Sequence, residues 1–192
     1  MKVGEPLPAA SASPEADAAE RDIVVLVDEN DAEIGLMPKL QAHTRPGLLH
    51  RAVSAFVLDS DGRMLLQRRS PRKYHFPNLW SNACCTHPMR NEHPLDAAHR
   101  RLAEEMGIRG RWKSGFEFVY EAFDPESGLY EAEYDHVFVF ECDQEPRPDP
   151  EEVADWRWLA TDDVQLWLED SPYDFTPWFK AICKHPYSRT GQ

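Results

Sequence analysis

Short runs of apolar and β-branched residues alternate with polar turns through most of the chain, a pattern that predicts β-strands. The first run is Ile23–Val27, which ends at the turn-forming segment 28–31. Further strands are predicted at Ala52–Leu58, Met64–Arg68, Phe116–Ala122, Val137–Cys142 and Trp156–Leu159. The second and third strands are expected to pair, because Asp59-Ser60-Asp61-Gly62 between them has strong turn chemistry.

Helical periodicity is clearest from Pro94 to Met106. Pro94 suits the first helical turn, and Gly107 supplies a C-terminal stop. Every third or fourth position on one face is apolar: Leu95, Ala98, Leu102 and Met106. Two shorter helices are predicted near Thr161–Leu168 and Pro177–Lys184. Strands interleaved with a few helices predict a mixed α/β (α+β) domain.

The chain of 192 residues is long enough for one domain with a sizeable core. Residues 1–21 are rich in Ala, Pro, Ser and acids, with few large apolar residues, so a flexible N-terminal extension is predicted there. Residues 22–192 are then expected to form the folded domain. No internal repeat is present.

Charge and cysteine usage narrow the function classes. The net charge of −13 argues against nucleic-acid binding, which needs a basic face. A small phosphate-bearing molecule remains compatible if local bases or a metal offset the acidic background. No apolar run approaches the ~20 residues of a membrane span. The N-terminus lacks the pattern of a signal or transit peptide. The four cysteines form no Cys-x-x-Cys pair, so a reduced, cytoplasmic setting is expected.

Three histidines and two glutamates have the chemistry of a metal site. His43 and His50 lie seven residues apart, and His87 follows Cys85 in an expected loop after a strand. Glu131 and Glu133 are two residues apart, so in a strand both carboxylates point to the same face. Neutral imidazoles and carboxylates suit a divalent ion. Spacing alone favours the alternative that these are scattered surface polar residues.

Charged groups elsewhere add two weaker signals. Glu104 and Glu105 lie in the last turn of the predicted helix, where the helix dipole favours cations, so a metal beside Glu105 would relieve the misfit. Residues 67–73 place four bases in a short segment that, with Lys39, suits a diphosphate. A solvated acidic helix end and a solvated basic surface explain the same residues.

The vicinal pair Cys84-Cys85 precedes His87 by a few positions. A buried cysteine is normally an inert small apolar residue. A nearby histidine and metal would tune the proton affinity of a thiol and suit it to acid–base work. Cys84, Cys142 and Cys183 are interpreted as buried spacers.

Aligned on the predicted helix, the chain resembles the Nudix box, a loop–helix–loop that binds metal-diphosphate substrates. The match is carried by Glu92, Arg100, Leu102 and the segment Glu104-Glu105-Met106-Gly107-Ile108. Thr86 stands where Nudix hydrolases have the first glycine, and Arg101 stands where they have the glutamate after the arginine. Hydrolytic members use the helix glutamates together to hold metals that activate water. The missing carboxylate therefore predicts weak hydrolysis, while Glu105 is still able to anchor a metal-diphosphate.

A second set of residues resembles the type I isopentenyl-diphosphate isomerases across roughly residues 22–180. They are Lys39, Ala42-His43, His50, Arg68-Arg69, Lys73, Trp80, Asn82, Cys85, His87-Pro88, Glu105, Glu131-Ala132-Glu133 and Pro177-Trp178. These residues form five separated motifs in the family's order, which makes the combination highly specific. The resemblance implies a Nudix-like mixed sheet sandwiched by helices.

The resemblance also implies roles for individual residues. One divalent ion, Mn²⁺ or Mg²⁺ with Zn²⁺ as an alternative, would be held by His43, His50, His87, Glu131 and Glu133. A second ion, Mg²⁺, would be bound by Glu105 through the substrate diphosphate. The diphosphate itself would contact Lys39, Arg69 and Lys73. Cys85 and Glu133 would act on opposite faces of the C5 unit, with Trp178 against its hydrocarbon part. Tyr120 matches a family tyrosine near the catalytic carboxylate.

The implied reaction interconverts isopentenyl diphosphate and dimethylallyl diphosphate in isoprenoid precursor biosynthesis. A proton is added to C4 and another is removed from C2, with a tertiary carbocation between the two steps. The expected partner is the small diphosphate substrate, without nucleic acid or membrane, and the expected state is a monomer or weak homodimer. A Nudix-type diphosphate hydrolase and a non-catalytic diphosphate-binding protein are the alternatives.

Overall fold

The computed structural model describes residues 22–185. The extension predicted at residues 1–21 lies outside the described residues, as do residues 186–192 of the predicted folded domain. None of the helices within residues 22–185 has the length and apolar character needed to cross a lipid bilayer.

Nine strands of the described region form one mixed sheet. The strands are β1 (Ile23–Val27), β2 (Glu33–Pro38), β3 (His50–Leu58), β4 (Arg63–Arg69), β5 (Trp80–Ser81), β6 (Cys84–Thr86), β7 (Arg111–Phe123), β8 (Tyr130–Glu141) and β9 (Val153–Ala160). Every strand predicted from the sequence is present. The turn between β3 and β4 also forms as predicted: Asp59 Oδ1 accepts the backbone N–H of Asp61 at 3.0 Å, and Gly62 has φ +77°.

The centre of the sheet is the parallel pair β3 and β8, in which His50 is opposite Glu133. β7 pairs antiparallel with the other edge of β8 and places Tyr120 opposite Glu133. β6 pairs antiparallel with β3 and places Cys85 opposite Ser54. This strand register brings residues that are distant in sequence to one region of the sheet.

Four α-helices accompany the sheet: α1 (Lys39–Ala42), α2 (Pro94–Glu105), α3 (Thr161–Asp170) and α4 (Pro177–Lys184). α2 begins at Pro94 as predicted and is followed by Gly107 with φ +65°. A Cβ at Gly107 would lie 2.7 Å from the carbonyl oxygen of Arg147, so this helix stop requires glycine. The sequence therefore predicts both ends of this helix from local chemistry.

Two apolar clusters cover the two faces of the sheet. One packs Ala98, Leu102 and Met106 of the α2 region against strand residues such as Val57 and Phe140. The other packs residues of α3 and α4, including Trp178 and Phe179, against a second set of strand residues. Helices on both faces of a mixed sheet confirm the predicted α/β class.

Candidate active site

The predicted metal ligands meet because of the β3–β8 register. His50 and Glu133 are opposite each other in the parallel pair, and His87 follows directly after β6. His43 caps the C-terminus of α1, and its carbonyl accepts the N–H of Tyr130 at 2.8 Å, which ties this segment to the start of β8. The side chains form two overlapping groups, His43–His50–His87–Glu133 and His43–His75–Glu131, each with ligand atoms within 4.8 Å of one another.

Backbone carbonyls fix the orientation of two imidazoles. His43 Nδ1 lies 2.7 Å from the carbonyl oxygen of Lys39, and His50 Nδ1 lies 2.7 Å from that of Leu48. A carbonyl oxygen only accepts, so both Nδ1 atoms carry the proton. Each Nε2 therefore presents its lone pair to the cluster, which is how protein imidazoles are prepared for a metal.

The inner atoms of the cluster fit a shared cation better than they fit each other. His43 Nε2 and Glu131 Oε2 are buried and 3.1 Å apart, yet neither has a hydrogen-bond partner of acceptable geometry among residues 22–185. His50 Nε2 and His87 Nε2 lie 3.1 Å apart. Ligands on opposite sides of an ion are separated by about 4.2 Å, twice a bond of about 2.1 Å. Four donor groups, those of His43, His50, His87 and Glu133, lie close enough together to hold one divalent ion.

Protonation states in the cluster agree with this interpretation. Burial is the largest influence on His87 and lowers its pKa to about 3, which keeps the ring neutral at physiological pH. Burial alone would raise the pKa of Glu133, but its contacts with His50 and His87 outweigh burial and hold that pKa well below its usual range. A neutral imidazole beside an ionised carboxylate is the state that binds a divalent ion.

Cys85 faces the same region of the molecule as Glu133. Its thiol donates to Asn82 Oδ1 at 3.3 Å and lies 3.7 Å from Ser54 Oγ. Burial is the main cause that raises the pKa of Cys85 to about 12, so the thiol is protonated at neutral pH. Cys84 belongs to the apolar cluster beside α2 and is fully buried. Alternation along β6 thus separates the two cysteines, one in the core and one at the site.

The two oxygens of the Glu133 carboxylate contact different groups. The hydroxyl of Tyr120 donates to Glu133 Oε2 through a short hydrogen bond. The other oxygen, Oε1, lies 3.0 Å from His87 Nε2 and 3.5 Å from His50 Nε2. One oxygen of this carboxylate thus faces the imidazoles and the other faces a phenol.

Bases and acids share another part of the site. Glu152 contacts both Lys73 and Arg101, the latter at 3.2 Å. Burial would raise the pKa of Glu152, but the charges and hydrogen bonds of Lys73 and Arg101 together outweigh burial and lower the pKa to about 2. Glu152 therefore holds two cations side by side.

Arg69 and Trp178 form a second contact region. The guanidinium of Arg69 lies 5.1 Å above the Trp178 ring and donates to the carbonyls of His75 and Phe76 at 3.1 and 3.0 Å. Trp178 Nε1 donates to Ser81 Oγ at 2.9 Å, which fixes the indole in place. Lys39 lies 5.4 Å from the centre of the Tyr74 ring.

Glu105 lies at the end of α2 and is buried, with 1% of its surface exposed. It pairs with Arg101, and Gln67 Nε2 donates to it at 3.4 Å. Glu105 contacts Arg101, and Arg101 lines a cavity of the protein. The carboxylate predicted to bind the second ion is therefore one side chain away from the cavity wall.

A cavity of about 380 Å³ joins these groups, a volume suited to a small ligand. Its wall includes the predicted residues Lys39, Arg69, Lys73, Cys85, His87, Tyr120, Glu131, Glu133 and Trp178. His43 and His50 are fully buried behind it and reach it through their contacts with Glu131 and Glu133.

The structure adds residues that the sequence did not single out. Asp135 is fully buried and accepts from Ser54 Oγ at 2.7 Å, directly behind Cys85. A signal for Asp135 existed, because it continues the alternation of Glu131 and Glu133 on one strand face. Ser54 and His75 had no comparable signal, since their contacts depend on strand register and loop shape.

Comparison with known families agrees with this geometry. The NUDIX domain family matches residues 48–179. The isopentenyl-diphosphate Delta-isomerase 2 of Aromatoleum aromaticum is 46% identical over 160 residues, covering 83% of this chain and 84% of that protein. The isopentenyl-diphosphate Delta-isomerase of Streptomyces coelicolor is 43% identical over 180 residues, covering 92% of this chain and 90% of that protein.

Solved structures support the fold. The DR0079 protein of Deinococcus radiodurans superimposes with a TM-score of 0.63 at 23% identity, covering 78% of this chain and 90% of that one. A MutT protein from Methanosarcina mazei gives a TM-score of 0.58 at 16% identity, covering 70% and 89%. At these identities the likeness concerns the architecture alone.

Proposed function

The chain belongs to the isopentenyl-diphosphate Delta-isomerase family and carries a NUDIX domain, and from this premise we propose how its cavity interconverts isopentenyl and dimethylallyl diphosphates. The observation that carries the proposal is that two groups able to give or accept a proton line one cavity. These groups are the Cys85 thiol and the Glu133–Tyr120 pair. The same wall carries the bases that a diphosphate needs.

A divalent ion completes the proposed site. His43, His50, His87, Glu131 and Glu133 would hold it, with Mn²⁺ or Mg²⁺ expected and Zn²⁺ as an alternative. When bound, the ion supplies positive charge that keeps Glu133 ionised and fixed in place. Glu105 is proposed to contribute, through the substrate diphosphate, to a second site for Mg²⁺.

The protein's own groups perform the proton transfers. The double bond of isopentenyl diphosphate joins C3 and C4, so one group gives a proton to C4 and leaves a tertiary cation at C3. A second group removes a proton from C2, and the electron pair of that C–H bond forms the new C2–C3 double bond. Cys85 and the Glu133–Tyr120 pair are proposed as these two groups.

The aromatic wall suits the charge that develops on the hydrocarbon. No oxygen in the C5 unit stabilises the cation at C3, so stabilisation must come from nearby π-systems and from the exclusion of water. Trp178 is 3% exposed and its ring centre lies 6.5 Å from that of Tyr120. We propose that these two rings face the hydrocarbon.

One feature of α2 disfavours hydrolysis of the diphosphate. Arg101 pairs with both Glu104 and Glu105, the last two residues of the helix. Nudix hydrolases use helix carboxylates together to hold metals that activate water. An arginine that neutralises these acids opposes that chemistry and leaves isomerisation as the better supported reaction.

A product assay tests the proposal directly. The full chain incubated with isopentenyl diphosphate and Mg²⁺ in D₂O is expected to form dimethylallyl diphosphate with deuterium in the new methyl group. Proton NMR detects that methyl group, and a phosphate assay run in parallel is expected to stay at background. Released phosphate would support a hydrolase instead, and unchanged substrate a binding protein.

Lys73 is proposed to contact the diphosphate, and its removal tests this part of the site. Lys73→Met is expected to raise KM for isopentenyl diphosphate by about 10- to 100-fold, because a charge-assisted contact contributes roughly 1.5–3 kcal/mol. Steady-state kinetics measure the change. Arg68→Met is the control, since Arg68 is exposed and donates to the carbonyl of Asn78 at 3.0 Å. Equal KM values in the two variants would contradict this role.

A further inference from the structure

A fourth imidazole lies beside the proposed metal ligands. His75 Nε2 is 2.7 Å from Glu131 Oε1, and both side chains are largely buried. An ionised carboxylate only accepts hydrogen bonds, so the proton of this contact is on His75 Nε2. His75 therefore presents a donor to Glu131, whereas the lone pairs of His43 and His50 point to the centre of the cluster.

The contact with His75 places the two carboxylate oxygens of Glu131 in different environments. Oε1 is held by His75, while Oε2 lies 3.1 Å from His43 Nε2 and has no hydrogen-bond partner among the described residues. We infer that His75 is a positioning residue of the proposed metal centre, which locks Glu131 with Oε2 toward the ion. The inference rests on the proposed function, because it requires that centre to bind a divalent ion.

The loop that carries His75 has a strained backbone conformation. Phe76, the next residue, has φ +45°, a left-handed conformation that is strained for an aromatic residue. Two partners maintain it: Arg69 donates to the carbonyls of His75 and Phe76, and Asp124 Oδ2 accepts the N–H of Phe76 at 3.0 Å. This bracing keeps the His75 ring at Glu131.

A positioning residue is needed here because the two carboxylates repel each other. The negative charge of Glu133 acts on Glu131 and, after burial, is the next largest influence that would raise its pKa. Without a fixed partner on Oε1, the Glu131 carboxylate is free to rotate away from Glu133. Hydrogen bonds to ligating carboxylates commonly change metal affinity by about 10- to 100-fold.

Direct ligation by His75 is the competing role, and the 2.7 Å contact argues against it. A histidine that binds an ion uses a nitrogen lone pair, whereas this nitrogen carries the proton given to Glu131. The remaining nitrogen, Nδ1, is buried and has no hydrogen-bond partner within residues 22–185. The ring thus reaches the centre through Glu131.

Three substitutions of His75 distinguish the effect of its hydrogen-bond donor from the effect of the volume of its ring. His75→Gln places an amide N–H near the position of Nε2, whereas His75→Asn is one methylene shorter, and His75→Ala has no donor. Titration calorimetry of the metal-stripped full chain with Mn²⁺ measures affinity. We expect a loss of about 10- to 100-fold for Ala and Asn and a change of only a few-fold for Gln.

A second readout guards against simple misfolding. Each variant's rise in Tm on adding Mn²⁺ is compared with its own metal-free melt, and the rise should be smaller for Ala and Asn than for Gln. Pulsed EPR of bound Mn²⁺ should count the same coupled imidazole nitrogens in wild type and His75→Ala.

Each other result overturns the inference in a distinguishable way. Wild-type affinity in His75→Ala shows that Glu131 needs no such partner. One coupled nitrogen fewer in His75→Ala makes His75 a ligand. A wild-type chain that binds no Mn²⁺ removes the proposed centre itself, and the inference falls with it.

Discussion

Glu133→Gln is expected to lower turnover of isopentenyl diphosphate by roughly 10²- to 10⁴-fold, the range for losing a proton-transfer group. Gln keeps the shape of the side chain but supplies neither a charge for the ion nor a base of useful strength. Mn²⁺ affinity is expected to fall by at least about 100-fold, since loss of a ligand costs more than loss of a supporting hydrogen bond.

The fold of this variant is expected to survive, for an electrostatic reason. Glu133 is largely buried and its charge opposes that of Glu131 when no ion lies between them. Gln relieves this repulsion but loses the contacts with His50 and His87 that hold the pKa of Glu133 low, so the metal-free melting temperature should stay equal or fall slightly while the metal-induced increase is lost. Activity, calorimetry and thermal melts on the same preparation measure the three effects.

Glu121→Gln is the matched control for this experiment. Glu121 lies on β7 next to Tyr120, is exposed, and does not line the cavity within the described residues. Its substitution should leave kcat and Mn²⁺ affinity near the wild-type values. Full activity in Glu133→Gln would remove this carboxylate from the mechanism.

Much of the fold was predictable because its signals are local. The ends of α2 follow from Pro94 and from Gly107, which combines a positive φ with a close approach to the Arg147 carbonyl. The strand β2 (Glu33–Pro38) was missed, since it carries Gly35 and ends at Pro38, two residues that weaken strand propensity. The two-residue strand β5 is too short to produce a period.

More of the composition of the site than of its geometry could be predicted from the sequence. The order of the motifs identified His43, His50 and Glu133 as ligands of one predicted metal site. Only the parallel register of β3 and β8 explains why His50 lies opposite Glu133. The positions of His75 and Ser54 depend on a strained loop and on an antiparallel pair, respectively. Neither the strained loop nor the antiparallel pairing produces a periodic pattern or a motif, so the positions of His75 and Ser54 could not be predicted from the sequence.

The register also changes how the vicinal cysteines are interpreted. Adjacent residues of a strand point to opposite faces, so Cys84 packs against the apolar cluster of α2 while Cys85 lines the cavity. A shift of one residue in β6 would exchange their environments. In the observed register Cys85 is opposite Ser54, and its Sγ lies 3.7 Å from Ser54 Oγ.

Cys85→Ala is therefore expected to lower kcat by roughly 10²- to 10⁴-fold while Mn²⁺ affinity stays near wild type, because Cys85 is not among the grouped metal-ligand residues. Cys85→Ser should lose most of the activity as well, since a hydroxyl keeps the contacts but is a weaker acid. Cys84→Ala is the matched control: it leaves a small core cavity, with a stability loss of about 1 kcal/mol and little change in kcat. Steady-state kinetics and thermal melts on all three variants decide the matter. Comparable losses of kcat at both cysteines would contradict the assignment of proton transfer to Cys85.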